Sequence, residues 1–324
     1  MAISVQALCA QIPAAADRVH AHLDATPVER ASYLEAADQF VFLKCEHRQP
    51  TGSFKARGAL NAISQLSGVT RERGIITTST GNHGMAVAWT VRKLGGRAIV
   101  YTHSKASAAK IARIQQLGAS VRLIDEDYLQ IVGQARDDAE REGLLYVPPY
   151  DDMAVIAGQG TAAVELLEQA GDLDALFVTV GGGGLIAGMA AWLKDRKPGV
   201  VVYGCLPEHS PDVAVGARGG DMSAVEHPAT LSDGSAGAIL PDSITIDLCR
   251  QLVDEFVLVS ELEIAAELRA YIDARHELIE GSAAVALAAF RRLQSKLHGR
   301  RVAIVVCGAN ISSDSLQRAL EMSA

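Results

Sequence analysis

Short β-branched runs alternate with alanine-rich segments along most of this 324-residue chain, and that alternation constrains the fold more than any other feature. The runs cover residues 74–78, 98–101, 120–124, 176–180, 200–204 and 302–307, with a further strand-like run at 40–43. Helical segments at 85–94, 106–117, 160–168, 185–194 and 261–275 separate them. Strands that are apolar almost throughout are buried on both faces, as happens in parallel sheets covered by helices. The pattern predicts an α/β fold of doubly wound parallel-sheet lobes, which take ligands beyond the carboxyl ends of their strands. Weak breaks near 66–73 and 148–152 predict a large lobe of residues 1–67 and 151–324, with a smaller lobe, 68–150, inserted in it. The Gly-, Ser- and Asp-rich stretch 214–238 is expected to form loops near the cleft.

Composition removes several function classes. A net charge of −8 with no clustered basic stretch argues against a nucleic-acid partner. The uncharged 19-residue stretch 175–193 imitates a membrane span. Four glycines in its middle disfavour a lipid-exposed helix, and a buried strand, loop and helix explain it better. No membrane partner is expected. The five cysteines are scattered and form no C-x-x-C pair, which suits free thiols in a reducing, cytoplasmic setting. The nine histidines show no ligand spacing, and no metal site is expected.

Three segments carry chemistry. Lys55 follows Gly52, Ser53 and Phe54, between a strand-like run and a helical one. A lysine there can present its amine to a carbonyl compound, although alone such a lysine is most often a solvated surface charge. Ser79, Thr80, Gly81, Asn82, His83 and Gly84 form a polar loop opening a helix, or an ordinary helix cap. Gly181, Gly182, Gly183 and Gly184 sit between a buried strand and the helix that starts near Leu185. Backbone N–H groups there bind phosphate, and glycine admits close approach. An amine, a polar loop and an anion cradle are the parts needed to hold pyridoxal 5′-phosphate. Gly182, Gly184 and Ala187 also satisfy a dinucleotide fingerprint, so a nucleotide-dependent oxidoreductase remains a rival. That rival needs an acidic residue after the next strand, where Cys205 and Leu206 stand. A non-catalytic small-molecule binder is the other alternative.

The motifs at 50–58, 78–84, 156–161, 181–185 and 307–310, in this order and spacing, resemble the serine/threonine dehydratase family of pyridoxal-phosphate enzymes, which includes serine racemase. The resemblance spans essentially the whole chain. It implies fold type II, the tryptophan-synthase-β-like arrangement with the cofactor in the cleft between two lobes. Residues 78–87 and 146–152 look most like the branch containing hydroxyectoine-utilisation and phenylserine dehydratases.

By this resemblance Lys55 would form the Schiff base with the cofactor and later act as the base at Cα. Asn82 would bond the pyridoxal 3′-oxygen, the four glycines with Leu185 would hold the phosphate, and Phe54 would pack against the ring. Ser53, Ser79, Thr80, Asn82 and His83 would surround the substrate carboxylate. The side-chain pocket would draw on Tyr128, Pro148, Tyr150 and residues 232–240. Cys307 would face the pyridine nitrogen, and Glu280 would lie near the cofactor or cap the following helix. A neutral thiol at the ring nitrogen weakens the electron sink and favours elimination over transamination.

Departures matter too. Thr80 stands where racemases carry a serine as second-face acid, and its extra methyl argues against racemisation. Leu206 replaces the carboxylate of members with a divalent cation, so no such metal is expected. The chain ends at Ala324, and feedback control by isoleucine through a regulatory domain is not expected. The expected activity is a lyase that removes water, then ammonia, from a β-hydroxy-α-amino acid such as threonine, serine or phenylserine. A hydroxyectoine-derived amino acid and 3-hydroxyaspartate are alternatives. Relatives are commonly dimers, so a homodimer is expected.

Overall fold

The computed structural model describes residues 4–36, 38–79 and 81–323. Two sheets organise them. The larger has six strands, in the order β1 (Val28–Arg30), β2 (Phe40–Lys44), β10 (Arg301–Val305), β7 (Ala175–Thr179), β8 (Val201–Pro207) and β9 (Glu255–Val259). The smaller has four, in the order β5 (Ser120–Ile124), β4 (Ala98–His103), β3 (Ile75–Thr78) and β6 (Leu145–Tyr146). The smaller sheet therefore draws its strands from a single stretch, whereas the larger draws from both flanks of it.

Helices cover these sheets, which is why β3 and β7 are buried at every position. The helix Gly281–Leu293 is buried from Gly281 to Phe290, and Gly184–Arg196 from Gly184 to Leu193. A helix apolar all round belongs inside the molecule, and both pack into one continuous core with β7, β8 and β10. Burying Phe177 and Phe290 edge to face at 5.7 Å contributes about 1.5–3 kcal/mol for each side chain.

The neighbouring strands pair in parallel register, with one exception. β1 runs antiparallel to β2, with Val28 opposite Lys44. Its three residues, Val-Glu-Arg, carry no apolar run, so the sequence pattern does not mark it. The helix over 160–168 begins earlier, at Met153, because the carboxylate of Asp152 accepts from the N–H of Val155 and caps it.

This topology places the site. β2, β10 and β7 are adjacent, and each ends in a segment the sequence singles out. β2 leads to Lys55, β10 to Cys307, and β7 to the glycine loop. β3, in the other sheet, leads to Asn82 and His83. All four segments leave the carboxyl ends of parallel strands.

Candidate active site

A cavity of about 580 Å³ opens where these segments meet. Lys55, Ser79, Asn82, His83, Tyr150, Gly181 and Gly182 all line it. The Lys55 amine donates to the carbonyl of Pro149 at 2.7 Å and lies 5.1 Å from the centre of the Phe54 ring. Burial pushes its pKa down to about 8, with the Cys307 and Glu280 sides opposing weakly. An amine so placed is partly neutral near physiological pH, and only the neutral form attacks a carbonyl carbon.

The glycine loop is built for close approach. Gly183 is the N-cap of Gly184–Arg196 in the left-handed region, at φ 81°, and no side chain caps that helix. A Cβ on Gly182 would collide with the ring of Tyr150. Tyr150 is in turn held by its hydroxyl, which accepts from the N–H of Leu240 at 3.2 Å. The uncapped N–H groups and the helix dipole favour an anion at the loop.

An amide–carboxylate chain links Asn310, Asn82 and Glu280. Asn82 Nδ2 donates to both oxygens of Glu280, at 2.9 and 3.0 Å. Asn310 Nδ2 donates to Asn82 Oδ1 at 2.7 Å, which fixes which way the Asn82 amide faces. The Asn310 N–H reaches Glu280 at 3.2 Å. Glu280 is 2 % exposed, and burial raises its pKa to about 7. It occupies the N-cap position of Gly281–Leu293, yet its side chain makes no capping bond and turns to Asn82 instead.

A family model described as pyridoxal-phosphate dependent enzyme matches residues 19–308. The chain belongs to that family. This pyridoxal-phosphate enzyme is 38% identical over 301 residues to an L-threo-3-hydroxyaspartate ammonia-lyase of a Pseudomonas species, covering 92% of the chain and 93% of the relative. It is 37% identical to a serine racemase of Schizosaccharomyces pombe, with 93% of each covered. The solved threonine deaminase isoform 2 of Solanum lycopersicum superposes with a TM-score of 0.87 at 30% identity, over 99% of this chain and 93% of that one. The parallel-sheet architecture is that of fold type II pyridoxal-phosphate enzymes.

The residues present fit the cofactor. Its aldehyde needs an amine of lowered pKa, which Lys55 supplies, and its phosphate needs donors without side chains in the way, which the loop supplies. Cys307, 3 % exposed, lies just past the end of β10, and its carbonyl accepts from the N–H of Phe54 at 3.0 Å. Burial raises the Cys307 thiol well above its ordinary pKa, so it stays neutral.

Not every residue expected at the site faces the cavity. Ser53, Phe54, Gly183, Gly184, Leu185, Glu280 and Cys307 do not line it, and Thr80 lies outside the described residues. Ser53 is wholly buried and pairs its backbone with Gly308. Among the described residues no cluster of three or more His, Cys, Asp or Glu is placed to hold a metal, and no helix is long and apolar enough to cross a membrane. Sequence reasoning left Asn310 without a role and overlooked Lys110, which pairs with Asp233 across the mouth of the cavity. Asn310 stood inside a quoted motif, but the Lys110–Asp233 pair, 123 residues apart, has no local signal.

Proposed function

We propose that this enzyme removes water and then ammonia from a β-hydroxy-α-amino acid, yielding a 2-oxo acid. The observation that carries the reading is a buried, easily deprotonated amine, Lys55, sharing one cavity with the glycine loop at Gly181 and Gly182. When bound, pyridoxal phosphate supplies the electron sink for charge developing at the substrate Cα. Asn82, oriented by Asn310 and Glu280, lines the cavity and would face the cofactor's ring oxygen. The neutral Cys307 thiol would place no negative charge beside the cofactor's ring. Lys55, once free, takes the Cα proton, a task for which a pKa of about 8 is well matched. The β-hydroxyl then leaves as water, and hydrolysis releases ammonia, so the net change is amino acid to 2-oxo acid and ammonia.

The side-chain end of the cavity favours an apolar β-substituent. Tyr128, Ile131, Tyr150 and Ile239 are among the residues lining the cavity. Lys110, which also lines the cavity, is already paired with Asp233. Threonine or phenylserine suits this wall better than a dicarboxylate. The name of the Pseudomonas relative supports 3-hydroxyaspartate as the second reading, with Lys110 and Arg318 at the rim as its carboxylate partners. The assignment of residues 1–67 and 151–324 to one lobe and 68–150 to another belongs to the same reading, as do a cytoplasmic location and a homodimer.

Borohydride reduction of the holoenzyme followed by peptide mass spectrometry should find the cofactor adduct on Lys55. A panel of serine, threonine, phenylserine and 3-hydroxyaspartate, scored by 2-oxo acid formed, should rank an apolar substituent first. An unmodified Lys55, or no 2-oxo acid from any of the four, overturns the reading.

A further inference from the structure

We propose that Lys110 is the cation that receives the substrate's α-carboxylate, and that Asp233 holds it as an internal stand-in until an amino acid arrives. The inference rests on the elimination reading above for its substrate class and deepens it.

Among the described residues, the lysine and arginine side chains that line the cavity are Lys55, Lys110 and Arg318. In the elimination reading Lys55 is reserved for the cofactor's aldehyde, and Arg318 donates to the carbonyl of Thr230 at 3.2 Å. Lys110 belongs to the helix Ala108–Gln116 and reaches Gly81, the residue that opens the helix Asn82–Leu94. A Cβ on Gly81 would lie 3.4 Å from the Lys110 Cδ and 3.7 Å from its Nζ. The Lys110 side chain is thus packed, at 16 % exposure, while its ammonium pairs with Asp233, which is 47 % exposed.

Asp233 is carried by a turn that is held on its own account. The N–H of Ser235 closes it on the carbonyl of Ser232 at 3.0 Å, and Glu261 accepts from the Leu231 N–H just before it at 2.6 Å. Gly234 packs so closely that an added Cβ would sit 3.3 Å from Glu280 Oε1 and 3.6 Å from Asn82 Nδ2. The ion pair therefore lies beside the Asn82–Glu280 contact. Burial is the largest influence on the Glu280 pKa, and behind it Asp233 raises that pKa while Lys110 lowers it.

A substrate such as threonine or phenylserine brings one permanent anion into this space. Its amine is committed to the cofactor, so the α-carboxylate has to be met by donors on the cavity wall, because burying it unpaired is costly. Lys110 suits the task. Its flexible stem and three donors can turn from one carboxylate to another while the backbone stays still. The bond it gives up is weak, since a half-exposed ion pair is worth no more than about a fivefold preference. With Lys110 given to the α-carboxylate, Arg318 is the cation left for a second carboxylate.

The test separates the two residues by sign. The holoenzyme is titrated with L-alanine, which has the amine and the α-carboxylate but no leaving group, and with L-alaninol, which lacks the carboxylate. Cofactor absorbance reads both dissociation constants, and wild type should bind alanine the tighter. Lys110→Met should raise the constant for alanine about ten- to a hundredfold and leave that for alaninol unchanged. Asp233→Asn, which removes the competing charge, should lower the constant for alanine about two- to fivefold. Lys110→Arg, which keeps the charge, should recover part of the loss, and affinity for pyridoxal phosphate should hold in all three variants. A structural ion pair would instead weaken alanine and alaninol alike in both Lys110→Met and Asp233→Asn. That result overturns the inference, as does a wild type that does not distinguish alanine from alaninol, or a Lys110→Met that loses pyridoxal phosphate and keeps alanine. If wild type binds alanine yet forms no 2-oxo acid from serine, threonine, phenylserine or 3-hydroxyaspartate, the elimination reading falls and the titrations still decide the role of Lys110.

Discussion

Arg57, two residues along the helix from Lys55, donates to both oxygens of Glu165, with Nη1 and Nη2 each 2.6 Å from one of them. The same guanidinium reaches Glu46 through Nε at 2.7 Å and Nη2 at 2.8 Å. Lys44 completes the group, donating to Glu165 at 2.6 Å. Four buried charges of zero net sign thus tie the Lys55 helix to β2 and to the helix Met153–Ala170. Burial alone would raise the Glu165 pKa, but the cations outweigh it and hold it at about 2.

Arg57→Met leaves two buried carboxylates facing one ammonium. Breaking a buried ion pair from one side costs about 3–5 kcal/mol, and this variant should fall at the upper end. Arg57→Lys keeps the charge but loses the planar fork, so an intermediate loss is expected. Urea unfolding of the two variants and wild type checks the order. A Met variant as stable as wild type would show that the network is dispensable.

The same helix carries a kinetic prediction. With the Lys55 pKa at about 8 against an ordinary 10.5, capture of pyridoxal phosphate by the cofactor-free protein should quicken from pH 6.5 to about 8.5 and then level off. An ordinary lysine would keep accelerating to beyond pH 10. Stopped-flow absorbance of imine formation reads the midpoint directly, and a midpoint above pH 9.5 contradicts the burial argument.

Much of this could be read before any coordinates, and the reason is physical. Parallel strands covered on both faces must be apolar throughout, so β3, β7 and β10 announce themselves. Ligand chemistry collects at their carboxyl ends, so Lys55, Asn82 and the glycine loop were legible from what precedes each of them. The edge strand β1 was silent because its pattern is short and half-exposed. Arg57 was silent for another reason. Its partners Glu46 and Glu165 lie 11 and 108 residues away, and a charge inside a helical run reads as a solvated face until its partners are seen. His83 lines the cavity, but the partner of its Nε2, the Val147 carbonyl, is 64 residues distant and has no local signal.

Gly182→Ala tests the cradle. The new methyl must displace the Tyr150 ring, which the Leu240 N–H holds in place. Overpacking of this kind costs about 1–3 kcal/mol, and a ring pushed into the cavity competes with the cofactor. The dissociation constant for pyridoxal phosphate should rise on the order of tenfold or more. Fluorescence titration of the cofactor-free variant decides it, and unchanged affinity would remove the loop from the cofactor site.

Glu280 offers a test through stability alone. Burial raises its pKa to about 7 in the folded protein, above an ordinary 4.5, and the nearby Asp233 pushes the same way while Asn82 pulls it down. A folded-state pKa above the unfolded one means the folded protein binds more protons between those values. The contribution is therefore fully present below pH 4.5 and is lost as the pH rises through 7. The window of about 2.5 pH units corresponds to about 3 kcal/mol at 1.36 kcal/mol per unit. Glu280→Gln, which mimics the protonated side chain and cannot titrate, should be free of this loss. Measured without cofactor, the stability gap between Gln variant and wild type should shift in the variant's favour by about that amount from pH 4.5 to 7.5. Parallel stability curves across the window would mean that Glu280 is already ionised at pH 5, with the Asn82 and Asn310 donors strong enough to overcome its burial.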